Sequence, residues 1–204
     1  MARSSSFDLL VTAVAAALKR KGYRRAGKTL WCSNSESWGV VEFQRSTESS
    51  SDVTIFTVNL GTASKALRQF FGKPETRPSF EECHWKNRIG FTLPTAGDKW
   101  WHLTGGAVAG IASEVIEALT QHGLPEIESH MCDASVRREW MSGSAPGLTE
   151  TDRLRFLSAL LHIEGDLTES ATVSARLKAL AEERPTAGLA EMHLRKLSSR
   201  RSGG

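Results

Sequence analysis

Gly39-Val40-Val41-Glu42-Phe43-Gln44-Arg45-Ser46, the polar loop Thr47-Glu48-Ser49-Ser50-Ser51-Asp52, and Val53-Thr54-Ile55-Phe56-Thr57-Val58-Asn59-Leu60-Gly61 together decide the fold. Both apolar runs are short, rich in Val, Ile, Thr and Phe, and bounded by turn-forming residues, which is the composition of strands and not of helices. The polar loop between them makes an antiparallel pair the simplest connection. Alternation then assigns the faces. Val41, Phe43, Phe56, Val58 and Leu60 point one way, and Glu42, Gln44, Thr57 and Asn59 point the other.

Working outward, Leu30–Ser33 precedes this pair across the hairpin-length turn Asn34-Ser35-Glu36-Ser37, and Trp85–Leu93 supplies a fourth strand. On that strand Trp85, Ile89, Phe91 and Leu93 face the core, and His84, Lys86 and Arg88 share the polar face. Lys65–Phe71 reads as a short helix or a covering loop, and Gly72–Arg77, with Pro74 and Pro78, as irregular chain. Phe7, Leu10, Val11, Val14 and Leu18 recur at helical spacing, with Ser5 and Asp8 as a capping box and Gly22 as the stop. Thr104 caps a second helix with the stripe Val108, Ile111, Ala112, Val115 and Leu119, which Gly123 and Pro125 close, and Glu126–Trp140 is a third. The expected class is α+β: an antiparallel sheet of about four strands packed by helices on one face, followed by a helical C-terminal extension.

The clearest linker is Ser142-Gly143-Ser144-Ala145-Pro146-Gly147. It divides the chain into an α+β domain at 1–141, a linker at 142–148 and a three-helix extension at 149–197, with 198–204 expected as a disordered tail. In the extension, Thr149 and Asp152 cap a helix carrying Leu154, Leu157 and Leu161. Thr168–Glu183 repeats the pattern with Val173, Leu177 and Leu180, and Pro185 starts a last helix with Leu189, Met192 and Leu197. Three short helices bury little on their own. Leu157, Leu160, Leu161, Leu177 and Leu180 are therefore expected to dock on the α+β domain or on another chain, so oligomerisation through these helices stays open.

Hydrophobic residues at 40% and charged residues at 24% describe an ordinary globular chain and exclude a disordered one. No run approaches the ~20 apolar residues of a spanning helix, so no membrane partner is expected. The apolar run Leu9–Leu18 ends at Lys19-Arg20-Lys21, where a cleavage region would be small and uncharged, so it reads as a helix and not a secretory signal. Cys32, Cys83 and Cys132 lack C-x-x-C spacing, which argues against a disulfide framework or zinc knuckle and for a reducing cytoplasm. No cofactor or metal is expected. Residues 1–104 hold 15 Lys and Arg against 9 Asp and Glu, and residues 105–204 hold 11 against 14, so cations for an anionic partner lie in the first half.

A basic helix end with a Gly-aromatic step runs into a strand at Lys19-Arg20-Lys21-Gly22-Tyr23-Arg24-Arg25-Ala26-Gly27-Lys28-Thr29-Leu30. Phe43-Gln44-Arg45-Ser46, Phe56-Thr57-Val58-Asn59-Leu60-Gly61, His84-Trp85 with Arg88-Ile89-Gly90, and Asp98 before Trp100-Trp101 follow in order. In this combination residues about 5–140 resemble the bacterial domain of unknown function 4304 (DUF4304) family. The resemblance implies an α+β fold without an established activity and assigns no catalytic residue. It does not extend past about residue 145.

Three functional readings follow from the residues. A polar face carrying Gln44, Asn59, Lys86 and Arg88 is what any water-facing sheet needs. It is also the platform of an intracellular binding protein whose partner is another protein, of an immunity or regulatory kind. Lys19, Arg20, Lys21, Arg24, Arg25 and Lys28 around Tyr23 either complement the dipole of a helix end or form the phosphate-binding patch of a nucleic-acid-associated factor. His84 and His102 flank a tryptophan-rich stretch, with Cys83 beside one of them, as the outline of an enzyme site, but no second ligand or nucleophile stands at a productive spacing. Trp85, Trp100 and Trp101 make either a core hub or a ligand-facing platform.

Overall fold

The computed structural model describes residues 5–182 and 187–201. Ser5 accepts the Asp8 N–H at 3.2 Å and opens α1 (Ser6–Leu18), whose stripe Phe7, Leu10, Val11, Val14 and Leu18 is buried as the spacing predicts. After it β1 (Arg24–Ala26), β2 (Thr29–Ser33), β3 (Ser37–Arg45), β4 (Val53–Ser64) and β5 (Trp85–Arg88) pair antiparallel in chain order. β6 (Trp101–Thr104) also pairs with β4, alongside Val53–Phe56, while β5 takes Asn59–Thr62.

The sheet therefore has six strands where about four are expected. β1 is three residues hidden in a basic run, and β6 is four residues beyond Trp100. Sharing one edge of β4 also shortens the strand expected at Trp85–Leu93. It stops at Arg88, and a 3-10 turn at Ile89–Thr92 carries the chain off the sheet so that β6 can return. Ile89 stays in the core, but Phe91, expected beside it, is 56% exposed.

Val41, Phe43, Phe56, Val58 and Leu60 meet α1, α3 (Val108–Ala118) and α4 (Leu124–Ser129) in one apolar cluster. The helix expected from a Thr104 cap begins at Val108. Gly123 and Pro125 do not end it: a π turn at Leu119–Gly123 leads straight into α4, where Pro125 sits in the first turn and its missing N–H costs nothing. The helix expected over Glu126–Trp140 is broken at His130–Cys132 into α4 and α5 (Asp133–Met141).

A second cluster joins α2 (Lys65–Phe70) and α5 to α6 (Glu150–Ile163), α7 (Leu167–Glu182) and α8 (Ala187–Arg201). Leu157, Leu160, Leu161 and Leu177 meet Leu67, Phe70, Val136 and Trp140 of the same chain. The start expected at Pro185 and residues 202–204 lie outside the described residues, and α8 covers 198–201 of the stretch read as tail. Among the described residues no helix is long and apolar enough to cross a membrane.

The outer sheet face is crossed by a strap, residues 72–84. Gly61 lets it lie close, since a Cβ there would stand 2.7 Å from Cys83 Sγ. Arg68, 2% exposed, bolts the strap down: Nη2 donates to the carbonyls of Pro74 at 2.9 Å and Thr76 at 3.1 Å, and Nη1 lies 3.5 Å from the Glu82 carboxylate.

The tryptophans divide between core and surface. Trp85 stacks on His130 with ring centroids 4.2 Å apart, and Trp101 stacks on Phe56 at 5.6 Å, both buried, whereas Trp100 is half-buried. Trp85→Ala and Trp101→Ala are expected to cost about 3–5 kcal/mol each in urea melts, and Trp100→Ala no more than about 1 kcal/mol.

Candidate functional site

Strand register builds the floor of a cleft on the outer face. Asn59 stands opposite Glu42 on β3 and opposite Arg88 on β5; Gln44 is one step diagonal to it, and Lys86 stands opposite Gly61. All four sequence-selected residues, Gln44, Asn59, Lys86 and Arg88, thus line one cleft of about 670 Å³ together with Phe80, Asn87, Phe91, Asp98, Pro146 and Gly147.

Hydrogen bonds hold this floor. Asn59 Nδ2 donates to Gln44 Oε1 at 2.9 Å, and Thr57 Oγ1 donates to the Lys99 carbonyl at 2.8 Å. Arg88 Nη1 lies 2.6 Å from Asp98 Oδ2, the same oxygen accepts the Trp100 indole N–H at 3.1 Å, and the guanidinium sits 5.3 Å over the Trp100 ring. The carboxylate that Arg88 pairs with is thus Asp98 of the same chain. Lys86 makes no ion pair among the described residues. Its ammonium donates to the Glu81 carbonyl at 2.8 Å and lies 5.6 Å from the Phe80 ring.

One wall comes from beyond the sheet. Gly147 has φ +71°, and a Cβ on it would stand 2.6 Å from the Lys86 carbonyl oxygen, so the linker lies directly on the β5 backbone. Besides Asn87, whose position in the strand alternates with Lys86 and Arg88, the lining residues that alternation does not find are Asp98, Phe91, Phe80, Pro146 and Gly147. These five lie on loops or, for Phe91, on the 3-10 turn, and the one local signal among them is the Pro-Gly pair of the linker.

The basic run keeps its six cations exposed but not its aromatic. Tyr23 is buried, and burial raises its pKa, so its ring offers no stacking surface between the cations. Arg25 lies 3.7 Å from Asp8, Lys28 lies 3.4 Å from Glu42, and Arg24 sits 5.9 Å over Trp31. Lys19, Arg20 and Lys21 remain exposed on a single 3-10 turn.

The two histidines of the enzyme outline are far apart. His84 N–H donates to the Thr62 carbonyl, while His102 stands opposite Ile55, seven residues along β4 and therefore roughly 24 Å away. His84 is buried, its Nδ1 accepts the Ser64 N–H at 3.1 Å, and its ring packs 4.9 Å from Phe156. Burial, with Arg68, Arg155 and Lys86 nearby, pushes its pKa down to about 3, so it is a neutral acceptor. Burial likewise raises the Cys83 pKa, which leaves a thiol and not a nucleophilic thiolate. Ser158 and His193 pair at 2.8 Å, yet both are buried between α6 and α8, where the pair fastens helices. Among the described residues no group of three His, Cys, Asp or Glu is placed to hold a metal ion.

An antiparallel sheet with helices on one face and a strapped polar cleft on the other defines a two-layer α+β protein. Within that class the chain belongs to the family described as Domain of unknown function (DUF4304), which matches residues 14–129. No curated protein and no solved structure matches it. The matched span holds the floor of the cleft and ends before Pro146 and Gly147, which close it.

His84 carries a pH signature. Its folded pKa lies below the ordinary value of 6.5, so the unfolded chain takes up the proton first and stability falls as pH drops below about 6.5. Urea melts between pH 7 and pH 5 should show this loss, and His84→Gln should flatten that part of the profile contributed by the ring.

Proposed function

We propose that this chain is a binding module that takes a segment of a protein partner into the cleft on its outer sheet face. The observation that carries the reading is the convergence of Gln44, Asn59, Lys86 and Arg88 with the exposed Phe91 around one opening. Ligand sites combine an apolar surface with a few fixed polar groups, and this cleft has both. The Asn59–Gln44 bond uses one group of each amide, and the groups left over, an NH2 on Gln44 and a C=O on Asn59, are the donor and acceptor that a peptide unit requires. Leu154, Leu157, Leu160, Leu161 and Leu177 of the C-terminal extension are buried within the chain, which favours the cleft over this face of the extension as the partner-facing surface. Three free cysteines suit an intracellular setting.

The nucleic-acid reading has less behind it, because its aromatic is buried and three of its six cations already have partners. In a salt-titrated anisotropy assay, random duplex and single-stranded DNA are expected to show negligible binding even at low salt. A steep loss of binding with rising salt would instead assign the patch to phosphates.

Random dodecapeptides displayed on phage and selected on the full chain are expected to converge on a sequence class. Its affinity should fall at least tenfold in Gln44→Ala and in Phe91→Ser; the melting temperature should be nearly unchanged in Phe91→Ser and lowered in Gln44→Ala, which also leaves the buried Asn59 amide without its acceptor. Absence of convergence, or peptides that bind both variants as tightly as the wild type, would overturn the proposal.

A further inference from the structure

We infer that the occupant of the cleft is an extended peptide carrying an acidic side chain three or four residues from a bulky apolar one. This rests on the binding-module reading and names the chemistry of the partner.

The charge distribution selects the acid. Arg88 and Asp98 answer each other at 2.6 Å, and the Trp100 indole N–H also holds Asp98, so these two form a neutral rim. The charge left on the cleft lining is Lys86. It is fixed in place by the Glu81 carbonyl and the Phe80 ring, and it makes no ion pair among the described residues; the exposed Glu81 carboxylate, held below its usual range by backbone and Ser79 hydrogen bonds first, feels Lys86 only through the field. A fixed ammonium beside an apolar ring is matched by a carboxylate and repels a basic segment.

Phe91 selects the apolar neighbour. The described residues leave Phe91 56% exposed, on a turn that leaves the sheet, and it lines the same opening as Lys86. From Lys86 to Arg88 the strand advances about 7 Å, and the 3-10 turn to Phe91 adds about 6 Å more. The Cα atoms of Lys86 and Phe91 are thus at most about 13 Å apart, a span that an extended peptide covers in three or four residues.

The linker fixes the direction. Gly147 lies on the Lys86 backbone and blocks the cleft beyond it, so the acidic residue falls at the walled end and the chain runs out past Phe91.

The test is a charge swap read by parallel phage selections of random dodecapeptides on the wild type and on Lys86→Glu, each a full chain with its folding checked by thermal melt. Wild-type pools should be enriched in Asp or Glu three or four residues from Phe, Leu, Ile or Trp. Pools selected on Lys86→Glu should carry Lys or Arg at the acidic position, and wild-type peptides should lose at least tenfold in affinity for that variant. Convergent pools without the acid, pools rich in Lys or Arg on the wild type, or unchanged affinity for Lys86→Glu would overturn this inference and leave the binding module standing. Pools that do not converge at all would overturn both.

Discussion

The structure depends on β4 being buried on both sides of the sheet. From Phe56 to Ser64 every residue is buried, which an antiparallel strand with one wet face does not require. The inward positions begin with Phe56, Val58 and Leu60, while the outward ones are Thr57, Asn59, Gly61 and Ala63, all small or able to find a partner. Thr57 and Asn59 are satisfied by Lys99 and Gln44, and Gly61 and Ala63 let the strap approach. Thr57 and Asn59 each have a hydrogen bond, and that offsets the penalty of taking them out of water.

Arg68 holds the corner where the strap, α2 and the C-terminal helices meet. A buried guanidinium is tolerated because the strap offers it two carbonyls and the Glu82 carboxylate. Glu82 in turn is held below the usual carboxylate range by the Ser79 N–H and, against some burial, by Arg68 and Lys73. Burial first, and then the same positive corner, keep His84 neutral, so the ring serves as an acceptor for Ser64 and as a packing surface for Phe156 on α6. Fold and extension are thereby joined through a patch of chain that looks unremarkable in sequence.

Much of this architecture is legible from local period. The α1 stripe, both capping boxes, the central hairpin and the assignment of Glu42, Gln44, Thr57 and Asn59 to one face all follow from spacings of two or of three and four. The misreadings arise where distant chain decides. Trp85–Leu93 keeps its alternation through Phe91, but Gly90 is pressed against Gly97 and Lys99, with room for no Cβ, because β6 claims the same edge of β4. Tyr23 sits among cations in sequence and in the core in space, since the chain reverses just before it. The floor of the cleft is periodic and therefore readable; its rim at Asp98, Phe80 and Gly147 is assembled from three loops, and no spacing connects them.

The seat of Gly147 on the Lys86 backbone makes the opening a joint product of two parts of the chain. The sheet supplies a floor that its own strand register holds in place, while the wall belongs to a linker outside the span shared with the family. The two are separable in principle: a different segment after α5 would redraw the outline of the cleft without disturbing a single pairing in the sheet. Such a design keeps the costly element, a satisfied polar strand face, constant, and lets shape be revised at the cheapest place in the chain.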